Sequence, residues 1–110
     1  DQAIAFYQEA LLYNSRSPEA MYNLGVAYVE KGQPEKASIC YELTTQLNPR
    51  CAEAYNNLGV IYKDLDNLPK AMQCYEAALR VKPTFAEALN NMGVIFTMMC
   101  CPEDALTYFN

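Results

Sequence analysis

The chain has 110 residues, the size of one ordinary domain, and 52% of them are apolar, so it can bury a hydrophobic core. Its net charge is −5 and it contains no run of basic residues, which excludes nucleic acid as an expected partner because a phosphate backbone would be repelled. No apolar run reaches the roughly 18 residues of a membrane span, so we expect no membrane partner either.

The sequence repeats itself every 34 residues, as the spacing of Gly25, Gly59 and Gly93 shows. In each unit, apolar residues recur at the spacing of a helix with one buried face, and a second helical segment follows. In chain order we predict the second helix of a truncated unit, two full units, and a unit cut short at its C-terminal end. Their bounds are 1–17, 18–51, 52–85 and 86–110. Because the chain begins at Asp1 and ends within the pattern, we expect it to be a piece of a longer protein.

Small residues recur where the two helices of a unit should cross. A glycine inside a helix costs about 1 kcal/mol relative to alanine, so a close approach of the second helix, through its own alanine, should offset that cost. An aromatic residue follows each alanine at helical spacing. The residues assigned to this packing are Gly25, Gly59, Gly93, Ala37, Ala71, Ala105, Tyr41, Tyr75 and Phe109.

Prolines and turn residues mark the ends of these helices. Pro34, Pro69 and Pro102 stand near the first turn of each second helix, where a missing N–H does no harm. Pro49 and Pro83 should end those helices, since each pushes the residue before it out of the helical region. Between the two helices of successive units stand Gly32, Asp66 and Cys100, and we expect a left-handed turn residue at the first two.

One column of asparagines is the main candidate for binding. Asn23, Asn57 and Asn91, here called the asparagine row, lie off the buried stripe at the same angular place in three first helices. A carboxamide both donates and accepts, so such a row could hold the backbone of an extended peptide regardless of its sequence. The alternative is that these amides bond to a neighbouring repeat.

Other polar residues accompany the row. Asn56 and Asn90 form a second amide column beside it, and they could equally be solvated. Glu30 and Asp64 lie seven residues after row members, on the same face, and could prefer basic or hydroxyl-bearing ligand side chains. Glu19, Glu53 and Glu87 begin the first helices, where acids commonly only complement the helix dipole.

The glycine, alanine, aromatic and proline columns resemble the tetratricopeptide repeat. The resemblance covers essentially the whole chain and implies an all-α solenoid, a right-handed superhelix whose first helices line a concave groove. Co-chaperones of this family clamp a C-terminal carboxylate with Lys and Arg in that groove. The corresponding columns here hold no cation, so that use is not expected. They contain Tyr22, Asn56, Asn90, Val26, Val60 and Val94.

The stretch from residue 51 to 94, CAEAYNNLGVIYKDLDNLPKAMQCYEAALRVKPTFAEALNNMGV, resembles the repeat region of SPINDLY-type protein O-glycosyltransferases, relatives of the O-GlcNAc transferases. The resemblance implies that the array holds protein substrates for a catalytic domain that uses GDP-fucose or UDP-GlcNAc, and that the asparagine row takes part. Ser15, Thr44 and Cys100-Cys101 depart from the pattern. The segment has no Gly-rich phosphate loop and no histidine, so we expect it to bind no cofactor and to catalyse nothing by itself.

Two other functions stay open at this point: a scaffold without enzymatic activity, and a self-association module that would make a homo-oligomer. Five cysteines in no metal-binding spacing predict reduced thiols and no metal site, hence a cytoplasmic or nuclear protein.

Overall fold

The computed structural model describes residues 4, 5, 8, 9 and 17–99, and within 17–99 it consists of helices joined by short turns. Residues 4, 5, 8 and 9 are helical too, and no strand occurs among the described residues. The all-α prediction is confirmed. The helices are α1 (Pro18–Glu30), α2 (Pro34–Leu47), α3 (Ala52–Asp64), α4 (Leu68–Val81) and α5 (Ala86–Met99). The predictions for Ala105, Phe109, Pro102 and Cys100 fall outside the described residues.

The helices begin and end where the sequence places its breaking residues. Pro34 occupies the first turn of α2, and the side chain of Ser17 caps α1 by accepting a hydrogen bond from the backbone N–H of Ala20 at 3.1 Å. At the other end of α2, Asn48 takes φ −140° and ψ 90°, an extended conformation imposed by the following proline. Lys82, which precedes Pro83, takes φ −135° and ψ 87° after α4.

The turns between paired helices use left-handed residues at the predicted positions. Gly32 has φ +75° between α1 and α2, and Asp66 has φ +64° between α3 and α4. Glycine meets no steric penalty in this region, and aspartate tolerates it better than most residues. In both full units the two helices therefore fold back on each other through a similar turn.

The helices stack in sequence order. Helix α1 packs on α2 and α3 on α4 within the units, while α2 packs on α3 and α4 on α5 between them. The first helices of the last two units, α3 and α5, also touch. Each of the two full units thus contributes one second helix that is covered on both sides. Ala37, Ala71, Tyr41 and Tyr75 on those second helices are buried almost completely.

The closest approach between paired helices is made by an aromatic ring. A Cβ atom on Gly25 would lie 2.7 Å from Cε1 of Tyr41, and one on Gly59 would lie still closer to the ring of Tyr75. The sequence assigned this approach to Ala37 and Ala71. Both alanines are buried, and the atoms nearest a Cβ at Gly25 or Gly59 belong to the tyrosine one helical turn later, so the ring takes part in the approach. The ring needs the space that a glycine leaves.

We predict that Gly59→Ala destabilises the chain by about 1–3 kcal/mol, the usual cost of forcing an extra methyl into a packed core. Chemical denaturation followed by circular dichroism measures it. A double-mutant cycle with Tyr75→Leu is the control, since removing the ring should cancel much of the penalty. Purely additive effects would show that the ring is not what excludes a side chain at position 59.

Candidate functional site

Side-chain hydrogen bonds that recur one unit apart join the first helices. Asn57 Nδ2 donates to the hydroxyl oxygen of Tyr22 at 3.1 Å, and Asn91 Nδ2 donates to Asn56 Oδ1 at 3.0 Å. In both cases donor and acceptor are separated by 35 residues. The donor is a member of the asparagine row, and the acceptor stands in the neighbouring column of the preceding unit. The adjacent residues Asn56 and Asn57 therefore take part in two successive links, Asn57 with the unit before it and Asn56 with the unit after it.

Asn56 lies inside this link and not on the surface. Its side chain is only 3% exposed, and while its oxygen accepts from Asn91, its own Nδ2 donates to Glu87 Oε2 at 3.4 Å. Glu87 and Asn91 stand one helical turn apart on α5, so α5 holds the Asn56 amide at both ends. The second amide column predicted from Asn56 and Asn90 is thus not a continuous surface row, because Asn90 is exposed while Asn56 is buried.

Glu87 makes a contact between units that the sequence alone did not indicate. An acid in a first turn is ordinarily explained by the helix dipole, yet this carboxylate also accepts from a buried amide on the neighbouring unit. Because the units repeat every 34 residues, positions on neighbouring first helices can be compared in the sequence. Such a comparison between units, in addition to the pattern within one helix, could have found the pair of Asn56 and Glu87.

Asn57 lies beside two tyrosines. The rings of Tyr22 and Tyr41 are 5.6 Å apart between centroids and tilted by 54°. Burial raises the pKa of Tyr41 to about 12, and burial likewise raises the pKa of Tyr22, on which the hydrogen bond from Asn57 acts in the opposite direction. Both phenols are therefore neutral at physiological pH, and the Asn57 amide is held by the neutral oxygen of Tyr22.

A cavity of about 490 Å³ opens between α1 and α3 beside this amide, and we call it the α1–α3 groove. Val26 and Val60 are half-buried in its wall, and Val29 is 47% exposed. Its charged lining residues are Glu30 and Asp64, both exposed. The full lining is Val26, Val29, Glu30, Gly32, Pro34, Tyr41, Asn57, Val60, Ile61 and Asp64.

The groove brings together three residues that the sequence singled out: Asn57, Glu30 and Asp64. Asn23 and Asn91, the other members of the asparagine row, are half-buried on α1 and α5 and do not line this cavity. Tyr41 lines it as well, although the sequence assigned that residue to packing alone. Asn57 therefore both links two units and lines the open groove.

Another set of links between units lies in the column of Tyr28 and Tyr62. Gln8 Nε2 donates to the Tyr28 hydroxyl at 3.0 Å, and one unit later the Tyr62 hydroxyl donates to the Glu42 carboxylate. Each ring also lies under a lysine of its own unit, Lys36 at 5.7 Å and Lys70 at 4.6 Å from the centroid. Burial and the bond to Glu42 raise the pKa of Tyr62.

The described cysteines are free thiols that are buried or half-buried. Cys40, Cys51 and Cys74 are free, and burial raises the pKa of both Cys40 and Cys74 to about 11. Within the part of the chain that the structure describes, no group of three potential metal-ligating side chains comes together. No helix among the described residues is both long enough and apolar enough to cross a membrane.

These features define a class of protein: an α-helical repeat array whose units are linked through their first helices, with a groove between those helices. The chain belongs to the tetratricopeptide repeat family. Models described as "Tetratricopeptide repeat" match residues 18–51 and 52–85, and one described as "TPR repeat" matches residues 1–32. A protein-binding repeat segment is what this family membership indicates.

Solved structures share the fold. The first TPR of Spaghetti (RPAP3), bound to the HSP90 peptide SRMEEVD, is 25% identical with a TM-score of 0.83, covering 87% of this chain and 76% of that one. MamA is 28% identical with a TM-score of 0.88, and the match covers 98% of this chain and 59% of MamA. YrrB, described as a TPR protein with an unusual peptide-binding site, is 26% identical with a TM-score of 0.79. The match covers 84% of this chain and 47% of YrrB.

A curated relative shares a short stretch at higher identity. It is a probable UDP-N-acetylglucosamine–peptide N-acetylglucosaminyltransferase SPINDLY of Eustoma exaltatum subsp. russellianum, 60% identical over 30 residues. That stretch is 27% of this chain and 3% of the relative, so the chain spans only a small part of that protein's length.

We expect Asn91→Ala to destabilise the chain by about 1–3 kcal/mol, because it leaves the buried oxygen of Asn56 without its donor. Urea denaturation measures the change. The matched control is Asn23→Ala, in the same column: no bond of the Asn23 side chain is found among the described residues, and we expect a change within about 0.5 kcal/mol. Equal effects of the two substitutions would contradict the assigned link.

For the hydroxyl of Tyr75 we predict the opposite effect, namely that its removal does not destabilise the chain. It is fully buried and has no hydrogen-bond partner among the described residues, whereas the hydroxyl of Tyr22 accepts a hydrogen bond from Asn57. Asn91, the counterpart of Asn57, donates to Asn56 instead. Burial, aided by the charge of Asp64, raises the pKa of Tyr75 to about 12, so the buried phenol stays protonated.

Tyr75→Phe should therefore leave stability unchanged or raise it by up to about 1 kcal/mol, since an unpaired buried hydroxyl is removed without disturbing the packing. Tyr22→Phe, the control, should lower stability because the side-chain amide of Asn57 loses its acceptor. Thermal unfolding of both variants measures the two changes in stability, and a loss at Tyr75→Phe as large as at Tyr22→Phe would refute the distinction.

Proposed function

We propose that this segment holds an extended stretch of protein along its first helices, as the substrate-holding part of a SPINDLY-type protein O-glycosyltransferase. The observation that carries the proposal is the α1–α3 groove, an open cavity with an amide at one end and an apolar wall. Its volume of about 490 Å³ lies within the range of ligand clefts, roughly 300–1,000 Å³.

Asn57 retains hydrogen-bonding capacity after its link to Tyr22. A carboxamide has two N–H donors and an oxygen with two lone pairs, and the link occupies one N–H. The link also fixes the plane of the amide, so a ligand that bonds to it loses less entropy than it would on a freely rotating side chain. A row of such amides suits a peptide backbone, which offers an N–H and a C=O at every residue.

Spacing supports an extended ligand. First helices stacked about 10 Å apart would present one amide for roughly every third residue of a strand that advances about 3.3 Å per residue. Asn23, Asn57 and Asn91 occupy equivalent positions on α1, α3 and α5, so a strand that crosses the first helices would meet one of them in each unit.

The glycosyltransferase part of the proposal is supported by the 60% identity to the SPINDLY relative over 30 residues. The parent protein would use UDP-GlcNAc or GDP-fucose in a region other than these repeats. A cytoplasmic or nuclear location fits three described cysteines that are free thiols.

A non-catalytic scaffold is the second candidate. It is supported by the likeness to the first TPR of Spaghetti (RPAP3), which was solved with a bound peptide, over 87% of this chain, a far longer match than the one to the transferase. The particular use seen in the RPAP3 complex, with an HSP90 peptide that ends in acidic residues, fits this groove poorly because Glu30 and Asp64 are its charged lining residues.

The test is a transfer assay on the parent polypeptide, offered GDP-fucose and UDP-GlcNAc separately with protein acceptors, and read by intact-mass spectrometry. We expect one deoxyhexose or one N-acetylhexosamine per modified site. Asn23→Ala in the parent should slow transfer to protein acceptors about tenfold or less, the effect of losing one or two net hydrogen bonds, and leave donor hydrolysis unchanged. A folded parent that transfers neither sugar would exclude the transferase and favour the scaffold.

A further inference from the structure

The α1–α3 groove has a distinct chemical pattern from one end to the other. The amide of Asn57 lies at one end and the carboxylates of Glu30 and Asp64 at the other, one contributed by each first helix. The wall between them is made of aliphatic side chains, Val26 and Val60 among them. A ligand that reaches from the amide to the acids must therefore be apolar along its length and polar at its tip.

We propose that this cavity is a subsite for one long basic side chain, lysine or arginine, of the peptide that the groove holds. The inference rests on the proposed function and names a ligand preference for the same groove. The backbone of the peptide would bond to Asn57, the aliphatic stem would lie on the valines, and the cationic tip would lie between the two acids. Lysine and arginine are the residues that combine an apolar stem with a charged head.

Charge complementarity favours this occupant. The two charged lining residues are both acidic, and the whole chain carries a net charge of −5. Both carboxylates are exposed, so neither pays a large desolvation cost before a ligand arrives. A cation between them would also relieve the repulsion between like charges that line one cavity. Lys31 and Lys63 adjoin the two acids in the chain, but neither lines the cavity.

Other occupants fit less well. A serine or threonine of the ligand carries no charge to offset the two carboxylates, and its short side chain covers less of the valine wall than the stem of lysine or arginine does. A metal ion would need further ligands, and among the described residues no group of three cysteine, histidine or acidic side chains forms. An acidic ligand residue would be repelled.

The test uses the 110-residue chain and fluorescein-labelled short peptides of alanine, valine, threonine and serine, identical except for one central residue. That residue is lysine, norleucine or glutamate, and fluorescence anisotropy gives the Kd of each. Norleucine keeps the apolar stem and removes the charge. We expect the lysine peptide to bind about fivefold more tightly than the norleucine peptide, and the glutamate peptide to bind most weakly.

Two double variants locate the effect. Glu30→Gln with Asp64→Asn should abolish the lysine preference and leave binding of the norleucine peptide within about twofold, because the valine wall and Asn57 are retained. Glu35→Gln with Glu76→Gln removes the same two charges from exposed positions on α2 and α4, outside the groove, and should keep the preference. If the second variant loses the preference equally, general charge attraction explains it and the subsite is refuted.

The remaining outcomes separate this inference from the function on which it rests. Equal affinity for the lysine, norleucine and glutamate peptides would overturn the basic subsite and leave peptide holding intact. Failure of every peptide to bind to the folded chain would overturn peptide holding by this segment, and the subsite with it. Circular dichroism of each variant confirms that the chain is folded before binding is compared.

Discussion

The arrangement of the first helices depends on the hydrogen bond that passes from one unit to the unit before it. Asn57 donates to Tyr22 and Asn91 donates to Asn56, at nearly the same distance and with the same separation along the chain. Apolar packing alone would let neighbouring helices slide, because the hydrophobic effect has no direction. A buried amide with one acceptor within reach fixes the relative position of the two helices, because a shift of either helix would leave the polar atoms of the amide unpaired.

The same bond explains why one residue can serve both structure and binding. Because Asn57 is anchored to Tyr22 at the edge of the α1–α3 groove, its remaining polar groups are presented in a fixed orientation. The two interpretations that the sequence left open, a link to a neighbouring repeat and a contact with a ligand, are thus compatible at this residue. At Asn56 they are not, because burial and bonds at both ends of its amide leave no surface for a ligand.

Much of the fold could be predicted from the spacing of residues along the sequence. The period, the proline-marked ends and the left-handed turns at Gly32 and Asp66 rest on local sterics, which act within a few residues and can be recognised in the sequence. The role of Tyr41 against Gly25 could not be recognised, because alanine and tyrosine both follow the glycine at plausible spacing and only three-dimensional packing decides which is nearer. Thr44, a departure from the family pattern, is accommodated by donating to the carbonyl oxygen of Cys40 at 2.8 Å.

The links between units also bear on how such an array can grow in evolution. Each link joins a donor to an acceptor in the preceding unit, so the duplication of one whole unit creates a new acceptor together with each new donor. An insertion of one residue within a first helix would turn the donor by about 100° around the helix axis and break the link. Lengthening by complete copies preserves every link, whereas a change of length inside a first helix disrupts one. Selection on these amides would therefore hold the length of the repeat constant even where other side chains are free to vary.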